Sequence, residues 1–464
     1  MAKDFTQDMT KGSPTKLLLL FTLPMLAGNL FQQLYNMVDT WVVGKFVGKN
    51  ALGAVGATAS IGFLIFSLSF GLSAGIGIMV SQLFGAGMLD KLKKSIVTSL
   101  YVMLSSGLIM GLIGILSARW VMTLLNTPEV ILDDAVVYLQ VTCCGLLSIA
   151  LYNGVAAILR ALGDTKTPLL FLVVACAINI VLDLLFVIQF KMGVFGVALA
   201  TIIAQFTAGI GCMVYAWFKL PIFKIPVKEW VPDLQLFKQC IKLGLPVALQ
   251  SVLISLSCIV LQAVVNGFGP TIIAAFTVAS RCEQLVHQPF SSLGAAVATY
   301  TGQNMGAGQL ERIKKGFRAG MIISTLFSLV MLPLAWLGGD AIVGFFIQEK
   351  DVIIEGARGL RITSLFYPAL GMIYITRSVL NGSGDVKFAM LSGFAEVAGR
   401  VGLAKPLTFV PGIGVLSVWF TTGLTWLLVA VVSCLRYAQG KWKEKSIVGK
   451  PISESPIAES KNYS

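Results

Sequence analysis

Charge is scarce in this chain: of 464 residues only 12% are Asp, Glu, Lys or Arg, while 56% are hydrophobic. A soluble domain carries about 25% charged residues and relies on them to stay dispersed in water. Half that share excludes an ordinary soluble protein. Histidine is almost missing, with one residue in the whole sequence. Neither an H-E-x-x-H zinc signature nor a G-x-x-x-x-G-K-[ST] phosphate loop occurs; "GKFVGKN" from Gly44 has the wrong spacing and ends in Asn50. These gaps speak against zinc hydrolases and direct use of ATP, and leave a non-enzyme without a bound cofactor as the expectation. The eight cysteines (143, 144, 176, 212, 240, 258, 282 and 434) show no C-x-x-C or other metal spacing and lie mostly in apolar runs. They read as small buried hydrophobes.

Apolar length is what the chain has in abundance. Runs of the ~20 residues needed to cross a bilayer recur from end to end, which makes this an all-α integral membrane protein. The first run, from Leu17, leads into a longer helix and not to an Ala-x-Ala cleavage site, so no removable signal is expected. Breaking the chain at charges, Gly/Pro clusters and turn residues gives twelve transmembrane segments. Six run at about 15–43, 51–80, 95–117, 130–159, 168–190 and 194–218, and six at about 237–267, 272–301, 317–338, 352–380, 388–409 and 413–437. Pro24 and Pro246 fall inside the first segment of each set and are expected to bend it, since proline removes a backbone hydrogen bond. The resulting organisation is an N-terminal segment 1–14, a lobe 15–218, a connection 219–236, a second lobe 237–437 and a polar tail 438–464.

The net charge of +13 would suggest nucleic acid in a soluble chain, but no soluble domain exists to carry such a partner. Its distribution fits membrane orientation. With both ends cytoplasmic, the inner segments hold 24 of the 35 basic residues and the outer loops six. That bias is the positive-inside pattern, which places the protein in the cytoplasmic (inner) membrane with both termini inside and lipid as its surroundings.

One polar phrase is written twice. "QLFGAGMLDKLKK" begins at Gln82 and "QNMGAGQLERIKK" begins at Gln303, with seven of thirteen positions identical. "LGDTK" and "SGDVK" repeat Gly163, Asp164 and Lys166 as Gly384, Asp385 and Lys387, at the same offset that separates Gln82 from Gln303. Two echoes at one offset indicate an internal duplication. Because each unit has six crossings, the copies run in the same direction and form two pseudo-symmetric six-helix lobes about an axis along the membrane normal, an arrangement typical of secondary transporters.

Residues Ser13 to Gly48, "SPTKLLLLFTLPMLAGNLFQQLYNMVDTWVVGKFVG", resemble the opening of the multidrug and toxic compound extrusion (MATE) family. The two GAG loops, "LRALGDTK" and "NIVLDLLF" from Asn179 are similar to that family too, so the likeness covers nearly the whole chain up to Tyr437. It implies two lobes around a central cavity and export of drugs or metabolites driven by inward proton or sodium flow. The expected substrate is a small amphipathic or cationic organic molecule, handled by a monomer. A lipid-linked oligosaccharide flippase of similar architecture is the alternative; it would need a strongly cationic cavity, for which only Arg281, Arg377 and Arg400 are placed.

Of 22 acidic residues, Asp39, Asp183, Glu283 and Glu396 fall well inside apolar segments. An ionised carboxylate at the bilayer centre costs roughly 3 kcal/mol on insertion scales, so each asks for a reason. Gln32, Tyr35 or Asn36, and Asp39 share a helix face by their spacing of three and four, as do Asn179 with Asp183 and Thr201 with Gln205. Hydroxyl, amide and carboxylate groups facing inward suit a proton or an oxygen-coordinated cation. The resemblance assigns Asp39, Asn179, Asp183 and Thr201 to the amino-terminal-lobe ion site, open to H+ or Na+, with Tyr138 and Asn153 as further members of the network. In the second lobe Glu396 precedes Arg400 by four residues, the order that favours an ion pair, and Glu283 shares a face with His287. The seventh and tenth segments carry Gln250, Gln262 and Arg377 where some family members have coupling acids, which favours the DinF-like branch. The GxxxG pairs Gly71/Gly75 and Gly107/Gly111 read as close helix packing.

Overall fold

The protein is described by a computed structural model covering residues 7–449; residues 1–6 and 450–464, and with them parts of the N-terminal segment and the tail, lie outside the described residues. Among the described residues there are helices and no strands. Helices α1 (Pro14–Val42), α2 (Lys49–Gly85), α3 (Leu89–Leu124), α4 (Glu129–Cys144), α5 (Leu146–Ala161), α6 (Lys166–Leu184) and α7 (Gly193–Lys219) build the first lobe. Helices α8 (Leu234–Asn266), α9 (Pro270–Gly306), α10 (Leu310–Gly344), α11 (Lys350–Ser364), α12 (Tyr367–Ser383), α13 (Val386–Ala404) and α14 (Ser417–Ala438) build the second. The α4–α5 and α11–α12 pairs each make one crossing, so the described residues form twelve transmembrane segments in two lobes. The fourth segment, read as one helix, is bent by 42° at Gly145. A Cβ there would collide with Ile202 of α7, so the bend is set by packing that local periodicity does not reveal. The tenth breaks at Leu365–Phe366 because Pro368, near the start of α12, cannot donate the hydrogen bond that would join the two.

Local chemistry explains the ends. Pro14 and Pro270 open their helices where the N–H would go unused. Asp233 caps α8, its Oδ1 accepting from Gln235 N at 2.7 Å and Leu236 N at 3.1 Å. Helix α1 passes through Pro24 without a break, and α8 through Pro246. The duplication is visible in the backbone: Gly87 and Gly308 have φ of 67° and 69°, and Gly163 and Gly384 have 92° and 95°. Both pairs keep the offset of the repeated phrases, and only glycine takes such turns without strain.

The lobes join at one end of the bundle, where the described terminal segments around Met9 and Ile447 and both GAG turns lie. A methyl group on Gly71 would collide with Ala248, and one on Gly75 would come within 2.5 Å of the Gly244 nitrogen, so α2 and α8 touch backbone to backbone. Gly85 packs on the Gln303 carbonyl and Gly306 on the Gln82 carbonyl, a reciprocal contact of the kind a two-fold axis generates. Gly107 and Gly111 admit α4 and α5 in the same way. The buried clusters at this end draw on both lobes, whereas those around Val42 and Val197, Met122 and Leu139, Cys282 and Trp419, and Val265 and Val418 each stay within one lobe. The bundle is therefore closed at the terminal end and parted at the other.

The connection 219–236 and the segment from 438 are more buried than their polarity suggests. Phe223 and Ile225 enter the first lobe's core, and Trp442 is buried against Tyr437. A composition read as solvated therefore holds packed residues up to Val448. The cysteines are all free; Cys143, Cys212, Cys240 and Cys282 are buried, while Cys144 and Cys258 are exposed.

Candidate functional site

A cavity of about 500 Å³ opens in the first lobe. Its polar wall is built by Gln32, Tyr35, Asn36 and Asp39 of α1, Tyr138 of α4, Asn153 of α5, and Thr201 and Gln205 of α7. Phe63, Phe66 and Phe70 of α2 face them. Three- and four-residue spacing turns each helix's polar positions to one side, so four helices supply one polar surface. Thr201 donates to the Val197 carbonyl at 3.1 Å, which ties its hydroxyl to its own helix.

Asn179 and Asp183 do not line the cavity. Both are fully buried on α6, behind its wall. Tyr35, Asp39, Tyr138, Asp183 and Thr201 lie within electrostatic reach of one another, so residues far apart in the chain meet in one network. Their hydrogen bonding is incomplete: Asp39 Oδ1, both carboxylate oxygens of Asp183 and both amide atoms of Asn179 are buried without a well-formed hydrogen bond, the two carboxyls facing each other at close range. Buried polar atoms are nearly always paired, and each orphan costs about 1–3 kcal/mol, more when charged. Such a set of oxygens fits a small cation or a proton.

Both carboxylate-bearing helices lose regular α winding beside this network. Helix α1 continues into a π turn at Val43–Val47, just after Asp39, and α6 into one at Leu185–Gln189, just after Asp183. Wide turns of this kind interrupt the helical ladder and recur at functional sites. No residue pattern announced them; Gly48, with φ of 117°, marks only where the first one ends.

The second lobe holds a separate charged cluster. Glu396 pairs with Arg400 at 3.3 Å and with Arg377 of α12 at 3.6 Å. Arg400 also donates to Ser257 Oγ at 2.9 Å and to Cys258 Sγ at 2.6 Å. His287 meets the Tyr374 hydroxyl at 3.2 Å, and Glu283 Oε1 is buried without a partner. Arg281 is exposed and outside the cluster. Gln250 ties α8 to α13 through the Ala389 carbonyl at 2.5 Å and Ser392 Oγ at 3.0 Å, and Gln262 bonds Asn266 at 2.9 Å. Spacing pointed to the Glu396–Arg400 pair; Arg377 as its third member was out of reach, because the bond crosses between helices.

Two buried carboxylates beside an aromatic cavity, in duplicated six-helix lobes, define a transporter-like membrane protein. The MatE family profile matches the chain twice, at residues 24–185 and 246–401, each match opening on the proline of a lobe's first helix. The chain belongs to the MatE family of membrane transporters. It is 30% identical over 442 residues to the probable multidrug resistance protein YpnP of Bacillus subtilis, spanning 94% of this chain and 97% of that one. It is 24% identical to the multidrug export protein MepA of Staphylococcus aureus, spanning 91% and 92%. Among solved structures it is similar to a MATE crystal structure in the bent conformation, with TM-score 0.88 and 23% identity over 94% of this chain and 98% of that one. A Pyrococcus furiosus MOP-superfamily transporter described as having a binding pocket of reversed polarity matches with TM-score 0.87 and 22% identity, over 96% and 99%.

Proposed function

We propose that this protein is a secondary-active exporter, in which inward flow of a proton or sodium ion drives a small amphipathic or cationic organic molecule outward by alternating access. The observation that carries the reading is the placement of Asp39 in the wall of an aromatic cavity, backed by the unpartnered oxygens of Asp183 and the amide of Asn179. Aromatic faces attract organic cations and tolerate varied shapes. A carboxylate on the same wall adds charge attraction. An ion bound between Asp39 and Asp183 satisfies the orphan oxygens and neutralises that attraction, so ion entry and substrate release become alternatives at one place. Exchange follows.

The names of the relatives, multidrug resistance and multidrug export proteins, support this substrate class. The distribution of Lys and Arg supports a cytoplasmic position for the terminal end of the bundle. The parted end then faces outward, and the protein works as a monomer in the inner membrane. The flippase reading loses its main support, since Arg377 and Arg400 share Glu396 and do not form a free anion cradle.

The test is uptake of a fluorescent lipophilic cation such as ethidium into inside-out vesicles, with proton and sodium gradients imposed separately. Uptake driven by at least one gradient without ATP is expected. Failure of both gradients to drive uptake overturns the reading.

A further inference from the structure

At the terminal end two glutamines are buried with no exposure at all, Gln82 on α2 and Gln303 on α9. Each reaches across to the other lobe. Gln82 Nε2 donates to the Gly382 carbonyl at 2.8 Å, and Gln303 Nε2 donates to the Ala161 carbonyl at 2.9 Å. Gly382 follows Ala161 by the same interval that separates Gln303 from Gln82, so this is one bond drawn twice by the duplication.

The other end of each amide holds a chain terminus. Gln303 Oε1 accepts from Met9 N at 2.8 Å, and Gln82 Oε1 accepts from Ile447 N at 2.9 Å. The termini also seat against the second repeated phrase. The Gln7 backbone lies where a methyl on Gly163 would fall, and Lys445 O would be 2.7 Å from a methyl on Gly384. Each segment thus spans from its own lobe's Gly-Asp turn to the opposite lobe's glutamine. Packing follows the same exchange: Met9 is buried in the second lobe's core with Tyr300, while Ile447 and Val448 pack against the first lobe's core. Asn304 and Arg312 add donors to the Met9 carbonyl, both at 3.1 Å.

We propose that Gln82 and Gln303, with the terminal segments 7–9 and 445–447, are positioning elements that latch the cytoplasmic side shut and set the balance between outward- and inward-open states. This rests on the alternating-access reading above. The two lobes cannot part at this end without breaking both glutamine–carbonyl bonds and pulling each terminal segment off either its own lobe's Gly-Asp turn or the opposite lobe's glutamine. An opened interface returns these groups to water, so replacing the glutamines destabilises the shut state alone. Each hydrogen bond contributes modestly, but losing the two that cross between the lobes, together with the seats of both terminal segments, shifts the balance by about tenfold or more towards opening.

Cys240 is a native reporter, buried at the α2–α8 contact with its thiol 3.8 Å from Met79 Sδ. With the other seven cysteines replaced by Ser or Ala, its labelling by a water-soluble maleimide in inside-out vesicles reads the opening of this end. Phe63→Cys, on the cavity wall and labelled from the opposite side in a chain lacking all native cysteines, reads the other end. The variants are Gln82→Ala with Gln303→Ala, and a chain ending at Glu444, which keeps Trp442. Both should speed labelling at Cys240 about tenfold or more and slow it at position 63. Loosened folding speeds both sites. Unchanged labelling at both sites, or faster labelling at both, overturns the proposal; a shift confined to the glutamine variant removes the carboxy-terminal segment from the latch. If the glutamine variant fails to reach the membrane, the truncated chain decides. Gradient-driven uptake is measured in parallel, so a native protein without uptake overturns the exporter reading while the labelling still judges the latch.

Discussion

Asn179 and Arg400 stand at equivalent places in the two copies, and their opposite chemistry separates the lobes. The first lobe leaves buried oxygens unpaired around Asp39 and Asp183; the second pairs Glu396 with two arginines and leaves only Glu283 Oε1 unpaired among its inner carboxylate oxygens. Hence Asp39→Asn or Asp183→Asn should reduce gradient-driven export to background in the vesicle assay, with membrane abundance unchanged, because an amide fills the same space but neither titrates nor supplies the negative charge that holds a cation. The second cluster predicts the reverse balance. Glu396→Ala leaves two buried guanidinium groups without a counter-charge and should cost roughly 3 kcal/mol, seen as a lower unfolding temperature in detergent, while replacing Glu396 and Arg400 together costs less. Apolar surroundings singled out Asp39, Asp183 and Glu396, and spacing of four put Asn179 on the face of Asp183 and Arg400 on that of Glu396. Spacing was silent on which of them reach a partner on another helix.

Among the helices, α2 shows how a sequence signal and its use differ. The Gly71–Gly75 spacing announced close packing, but its partner was unknowable until Ala248 and Gly244 came opposite. Gly75→Leu should prevent this approach, because the side chain would have to occupy the α8 backbone; the expected result is loss of the shut terminal end, read as fast Cys240 labelling. The segment after α14 makes the opposite point. Lysine-rich polarity reads as solvated, yet Trp442 stacks on Tyr437 at 5.4 Å and Tyr437 on Phe317 at 4.0 Å. Trp442→Ala should therefore destabilise the protein by about 3–5 kcal/mol, the range for truncating a buried aromatic, measured by thermal unfolding. A charged segment can bury one aromatic ring without changing its average composition.

For the molecule as a whole, the distribution of basic residues predicts orientation. Single cysteines at Lys91, Lys166 and Lys314 should label from the cytoplasm, and those at Lys49 and Lys350 from outside. Labelling at position 91 from outside intact cells would reverse the topology and the direction of transport with it. If those labels report the cytoplasm, the closed terminal end corresponds to an outward-open arrangement; the reciprocal Gly85–Gln303 and Gly306–Gln82 contacts show where the two copies meet.

Membrane insertion, the number of crossings, the duplication and the nominated carboxylates were legible in the linear order of residues. They depend on quantities local to the chain: apolar length, charge along the sequence, and helical period. The 42° bend at Gly145, the π turns after Asp39 and Asp183, and Arg377 joining Glu396 were not. Nor was the exchange of termini onto Gln82 and Gln303, although both glutamines stood first in the repeated phrase. Each of these depends on which surface another helix presents, and a buried polar atom's partner is set by that meeting of surfaces and not by its neighbours in sequence.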